Sequence, residues 1–339
     1  MKKFLAVILA VCTLAFGAFA FTACNNDDGD AIDVYAPDGA PALALAHLMS
    51  EDMQFGEKVN YHVVNASTID TYVTGEDLRA ELCVLPVNAA AAKLGSGENY
   101  KMLGTVTHGN IYIVSNTEKT ELTRANLATQ LEGKVVGCIQ LQNFVGFALQ
   151  IVLNDLDIHY TIIEDANKPA ESGVSIVNIS DPATQITGAA PYDYMVAAEP
   201  VVSAKTGAIE TLEIVGDLQK LYGESGYPQA VLVAKNDLIE NNAAFVEEFI
   251  AAVDANAAWL LNEQTSAETI VNAVASHLPD GSTPTFNAKN LTKTVIQHCA
   301  VRFESAAAGK DRVKEFLSEI TSVNNVSFNV ADDFFYSAQ

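Results

Sequence analysis

The sequence is short of the residues that most often announce chemistry. It holds four arginines, Arg79, Arg124, Arg302 and Arg312, one tryptophan and five cysteines in 339 residues. No Gly-x-Ser-x-Gly elbow, phosphate-binding loop or zinc helix motif occurs. GSGENY at 95–100 is glycine-rich but lacks the rest of a dinucleotide fingerprint, so no cofactor is expected. The histidines, His47, His62, His108, His159, His277 and His298, show no ligand spacing with one another or with acidic residues, and no metal site is expected. Cys83, Cys138 and Cys299 lie singly in apolar stretches. That pattern argues against a disulfide framework and for small buried hydrophobes. Cations are scarce too: 19 Lys and Arg against 42 Asp and Glu give a formal charge of −23. Such a surface repels nucleic acid and anionic headgroups, so nucleic acid is not an expected partner.

What is present begins with an export signal. Lys2 and Lys3 precede an apolar run from Phe4 to Phe21, broken only by Thr13 and Gly17. Small residues crowd its end, and FTAC leads at once into NNDDGD, with no basic flank to stop transfer. The sequence around the cut resembles a bacterial lipobox, which implies a signal peptide over 1–23, lipidation of Cys24 and a tether over 24–30. Phe21 stands where leucine is usual. An uncleaved anchor or plain secretion are the other readings. Loss of the leader takes the formal charge to −25.

The remaining chain is long enough for a sizeable core and more than one lobe. AIDVYAPDG, ALALAHLM and VNYHVV read as strand, helix, strand, and the same grammar recurs at KVVGCIQ, NFVGFALQIVLNDL and IHYTIIED. LCVLPVNAAAAKL and YDYMVAAEPVVSAKT each place a proline after a strand, so Pro86 and Pro200 are expected to open helices. HGNIYIVSN and GYPQAVLVAKN bracket the second copy as candidate crossing strands. Asn242 is expected to cap a helix carrying Phe245, Phe249, Ile250, Val253, Ala257 and Leu260 at helical spacing. LTKTVIQHCAVRFES and DRVKEFLSEITSV are expected to be two more helices. The reading is an α/β chain with residues 31–110 and 228–339 in one lobe and 111–227 in the other.

APDGAPALALAHLM, LCVLPVNAAAAKLGSG, KMLGTVTHGNIYIVSN and YMVAAEPVV resemble the substrate-binding proteins of ABC transporters for nitrate, sulfonate, taurine and thiamine-pyrimidine precursors, the NMT1/THI5-like group. The resemblance covers nearly all of residues 31–330. It implies a two-lobed type II periplasmic-binding-protein fold with two crossover strands, a small-molecule ligand in the cleft, and delivery to permease subunits driven by a cytoplasmic ATPase. It implies binding rather than catalysis, at the outer face of a cell membrane.

Ligands in open α/β sheets bind beyond the carboxyl ends of strands, near helix N-termini. That rule selects Asp38, Gly39 and Ala40, the stretch Asn65–Ser67, and Asn88 in the first lobe. In the second it selects Gln142 and Asn143, with Phe144 beside them, and Glu199. His108 and Asn110 open one crossing and Tyr227 and Gln229 the other, which places them at the cleft floor. Each has a plainer reading as a turn, cap or packing residue. The arginines all fall outside these stretches, although bidentate arginine is the usual recogniser of a tightly held oxyanion. The balance favours a nitrogen heterocycle held partly by Glu199, with sulfonate or nitrate next. A ligand sensor without transport, or a hydrolase using cleft acids, are the alternatives.

Overall fold

The computed structural model describes residues 31–337, and the expected leader, the Cys24 lipid site and the tether lie outside them. The first sheet has the order β12-β4-β11-β3-β1-β2, with β1 Ile32–Pro37, β2 Val59–Val64, β3 Leu82–Pro86, β4 Tyr100–Thr107, β11 Ala230–Lys235 and β12 Val301–Ser305. The second has the order β10-β5-β9-β6-β8-β7, with β5 Ile111–Ser115, β6 Val135–Ile139, β7 Tyr160–Ile163, β8 Val174–Ile179, β9 Tyr194–Ala198 and β10 Glu213–Asp217.

β1 pairs in parallel with β2 and β3, and β6 in parallel with β8 and β9. β3, β6 and β9, inside the sheets, are buried along nearly their whole length, while the edge strand β2 alternates. The second copy of the strand-helix-strand grammar needs a correction. β7 pairs with β8 and not with β6, so β8 stands between them. The expected joining strands each belong to one sheet, β5 to the second and β11 to the first. The chain passes between sheets through residues 108–110 and returns through residues 223–229.

Two helix expectations also change. In LTKTVIQHCAVRFES only Lys293–His298 is helical; Ala300 takes φ 45° and the following residues form β12 against β4. A left-handed alanine ends a helix, and Val301 then finds its partners on the sheet edge. Asn242 does precede helix Ala243–Leu261, but its side chain donates to Glu57 Oε1 at 2.8 Å and makes no cap bond.

One hydrophobic cluster includes Cys83 and Leu85 of the first sheet, Val136 and Ile176 of the second, and Phe316 and Ile320 of helix Ala306–Asn324. The two halves therefore share a core on that side. Burial pushes the thiols of Cys83, Cys138 and Cys299 up. None of the three forms a disulfide, which suits small hydrophobes. No helix among the described residues is long and apolar enough to cross a membrane.

Candidate functional site

Strand register decides which loops meet. Ala230 at the start of β11 pairs with Pro86 at the end of β3 and with Thr107 at the end of β4. Asn88, His108 and Gln229, each within two residues of these, thereby reach one edge of the first sheet. Ile111 of β5 pairs with Ala198 of β9, which sets Asn110 beside Glu199 in the second sheet. Residues far apart in the chain converge where the sheets join.

A chain of hydrogen bonds ties this junction. Glu199 N–H donates to the Asn110 carbonyl at 2.9 Å, and Asn110 Nδ2 donates to the Glu199 carbonyl at 3.5 Å. A backbone carbonyl can only accept, so Asn110 must turn its NH2 that way and its Oδ1 towards Gln229. Gln229 Nε2 donates to that Oδ1 at 2.8 Å. With the amides in this orientation, Gln229 Oε1 is left buried without a donor. Asn88 Oδ1 is in the same condition. Asn88 follows Val87, whose N–H donates to the Gln229 carbonyl at 2.9 Å. A buried oxygen without a donor costs about 1–3 kcal/mol, which a ligand N–H or O–H would recover.

Glu199 lies at the end of β9, before helix Val201–Ala208. Its side chain is fully buried, and three donors converge on it: Ser203 Oγ at 2.7 Å and His298 Nδ1 at 2.7 Å on Oε1, and Ser203 N–H at 3.1 Å on Oε2. The Tyr112 ring lies 4.4 Å from the His298 ring, and its hydroxyl donates to the His298 carbonyl at 3.3 Å. Ser203 and His298 also line a groove of about 680 Å³ between helix Val201–Ala208 and the segment 287–298. That volume falls in the range of small-molecule sites.

No protein-family model matches this chain, and no curated protein matches it. Solved structures do. An ABC transporter structure from Parabacteroides distasonis is 18% identical, covers 91% of this chain and 99% of its own, and superposes with a TM-score of 0.69. The periplasmic aliphatic sulphonate binding protein SsuA from Escherichia coli is 13% identical, with 91% and 92% covered and a TM-score of 0.59. The alkanesulfonate-binding protein SsuA from Xanthomonas axonopodis pv. citri bound to MOPS is 14% identical, with 89% and 95% covered and a TM-score of 0.51. The chain has the type II periplasmic-binding-protein fold.

Within this binding-protein fold, the other residues singled out from sequence divide by what already holds them. The Asp38 carboxylate is held by three donors: Oδ1 accepts from Gly39 N–H at 2.8 Å, and Oδ2 accepts from Thr285 N–H and Oγ1, both at 2.8 Å. Gly39 takes φ 109°, and Ala40, buried, opens the short helix Ala40–Leu43. Asn65 Oδ1 accepts from Ser67, a local turn. Gln142 and Asn143 are exposed in the loop before helix Phe144–Asp155, and the Asn143 side chain makes no cap bond.

Tyr227 is fully buried, its ring stacked 5.4 Å from Phe316 and its hydroxyl donating to Gln219 Oε1 at 2.9 Å. Phe144 packs into the same aromatic group. His108 is fully buried, and neither ring nitrogen completes a hydrogen bond. Burial, with Arg302 and Arg312 nearby, pushes its imidazole down to about 3, so the ring is neutral.

The arginines are engaged elsewhere. Arg79 lies over Tyr72, Arg124 bonds Asp155, Arg302 bonds the Ser225 carbonyl and Arg312 bonds Glu304. Ser203, Tyr112 and His298 had no mark in the sequence. His298 reads there as one more polar residue in a helical stretch, 99 positions from the acid it meets.

Proposed function

We propose that this chain is the extracytoplasmic solute-binding component of an ABC importer of the NMT1/THI5-like group, holding a small nitrogen heterocycle between its two halves. A thiamine-pyrimidine precursor is the type of ligand favoured. The observation that carries the reading is the orientation of Gln229, whose free, buried Oε1 is set by the Asn110–Glu199 backbone bond. With Asn88 Oδ1 it gives this junction two unmet amide acceptors, beside the neutral His108 ring, whose one N–H is also unmet. A ring bearing amino or N–H groups satisfies acceptors; a sulfonate or nitrate brings none. The engagement of all four arginines elsewhere supports the same choice. The fold neighbours are named as transport and binding proteins, which supports capture over catalysis.

In this reading residues 31–110 and 228–339 form one lobe and 111–227 the other, and Cys24 carries a lipid that keeps the receptor beside its permease and ATPase. A tether raises the local concentration of receptor at that partner, and stable anchoring needs more than one acyl chain.

A thermal-shift screen of the purified chain tests the ligand class. A binder at one hundred times its Kd adds about 2.7 kcal/mol to stability. Aminopyrimidines and thiamine are expected to raise Tm, while alkanesulfonates without an amine and nitrate leave it unchanged. A rise with sulfonates or nitrate alone overturns the heterocycle reading.

A further inference from the structure

We propose that His298 contacts the ligand directly, presenting Nε2 as a hydrogen-bond acceptor, and that Glu199 is the positioning residue that sets this tautomer. The proposal deepens the binding reading above and rests on it. It also reassigns Glu199, expected from sequence to touch the ligand itself.

Glu199 is already held by three donors. Its Oε1 receives Ser203 Oγ and His298 Nδ1, and its Oε2 receives Ser203 N–H. Its side chain is fully buried and presents no surface to the groove. What it does instead is orient. A carboxylate accepts and cannot donate, so the nitrogen facing it at 2.7 Å carries the imidazole proton. In a neutral ring, Nε2 is then a lone pair. Carboxylates fix histidine tautomers in this way at metal and catalytic sites, where the far nitrogen does the work.

The rest of the ring is also held. Tyr112 packs against it at 4.4 Å, tilted by 37°, and its hydroxyl bonds the backbone carbonyl of the same residue. The His298 side chain keeps 22% of its surface exposed and lines the groove with Ser203, Ile214, Asn290 and Thr294. With Nδ1 committed and Tyr112 packed against the ring, the Nε2 edge is the polar part left to the groove. Glu199 follows β9 of the second sheet and His298 precedes β12 of the first. The contact therefore brings an acceptor from one half onto a groove whose other wall belongs to the other half. An acceptor there selects ligands that present an N–H or O–H donor to the groove.

Imidazole 15N spectra of the full chain test this, with His298→Gln used to assign the resonances. Without ligand, His298 is expected to be protonated at Nδ1 with an unprotonated Nε2, and titration with 4-aminopyrimidine is expected to move the Nε2 resonance. Calorimetry with the same probe adds a second readout. His298→Asn still reaches Glu199 but not the groove, and should bind about tenfold more weakly with little change in Tm. His298→Gln restores an amide oxygen near the Nε2 position and should recover part of that loss. A proton on Nε2 in the wild type, or wild-type affinity in His298→Asn, overturns the proposal. A wild type that binds neither 4-aminopyrimidine nor thiamine overturns the binding reading and this proposal with it. The tautomer needs no ligand, so the two failures are told apart.

Discussion

The carbonyl oxygen of His108 and the α-carbon of Gly226 meet where the two passages between the sheets cross: a Cβ on Gly226 would lie 2.2 Å from that oxygen. Gly226 also takes φ 61°, and Gly109, next to His108, takes φ 108° against the Gln219 and Tyr227 side chains. Glycine is needed at both, for backbone conformation and for close approach. Gly226→Ala should lower unfolding free energy by about 2 kcal/mol or more, since strain and a backbone clash add. Chemical denaturation checks it, and a loss under about 0.5 kcal/mol would contradict the crossing geometry.

His108 predicts an acid sensitivity. Its folded pKa is lowered from 6.5 to about 3, so below pH 6.5 the unfolded chain takes up a proton that the fold refuses. The stability that its neutral burial allows is complete above pH 6.5 and is lost as pH falls towards 3. At about 1.36 kcal/mol per unit, the loss attributable to this ring is up to about 3 kcal/mol at pH 4. Melting curves of wild type and His108→Phe between pH 7 and 4 should diverge, the variant losing less.

Gln229→Met keeps the volume but removes both the donor to Asn110 and the free oxygen. Binding of the heterocycle should weaken about tenfold, and stability should fall by about 1 kcal/mol. Calorimetry beside a denaturation curve separates the two effects; unchanged affinity would place the ligand elsewhere.

Tyr227→Phe removes the hydroxyl that donates to Gln219 and lies against the Asn110 backbone N–H. Stability should fall by about 1 kcal/mol with ligand affinity within twofold of wild type. A large loss of affinity would return Tyr227 to the site.

Cys24→Ser should release the protein from the membrane into the soluble fraction without changing its affinity for the ligand. Fractionation and calorimetry check the two halves of that statement.

The βαβ unit formed by β1, the helices after it and β2 was legible from residues alone, because apolar β-branched runs alternating with helical spacing leave few folds open. So was the α/β class, and so was the placement of candidates at strand ends. The leader expected over residues 1–23 likewise rests on composition and spacing. What tertiary structure decided is which candidates meet and what each has left to offer. Register brings Asn88, Asn110 and Gln229 together, and a single backbone carbonyl at Glu199 orients two amides in turn. Asp38 and Tyr227 have the right residue types in the right segments, yet Thr285 and Phe316 take up their bonding and packing. His298 shows the reverse: no local pattern marks it, and a carboxylate 99 residues away gives it a fixed proton and a direction. Local sequence sets which groups are available near a strand end; only the folded chain sets which hydrogen bonds remain unmade.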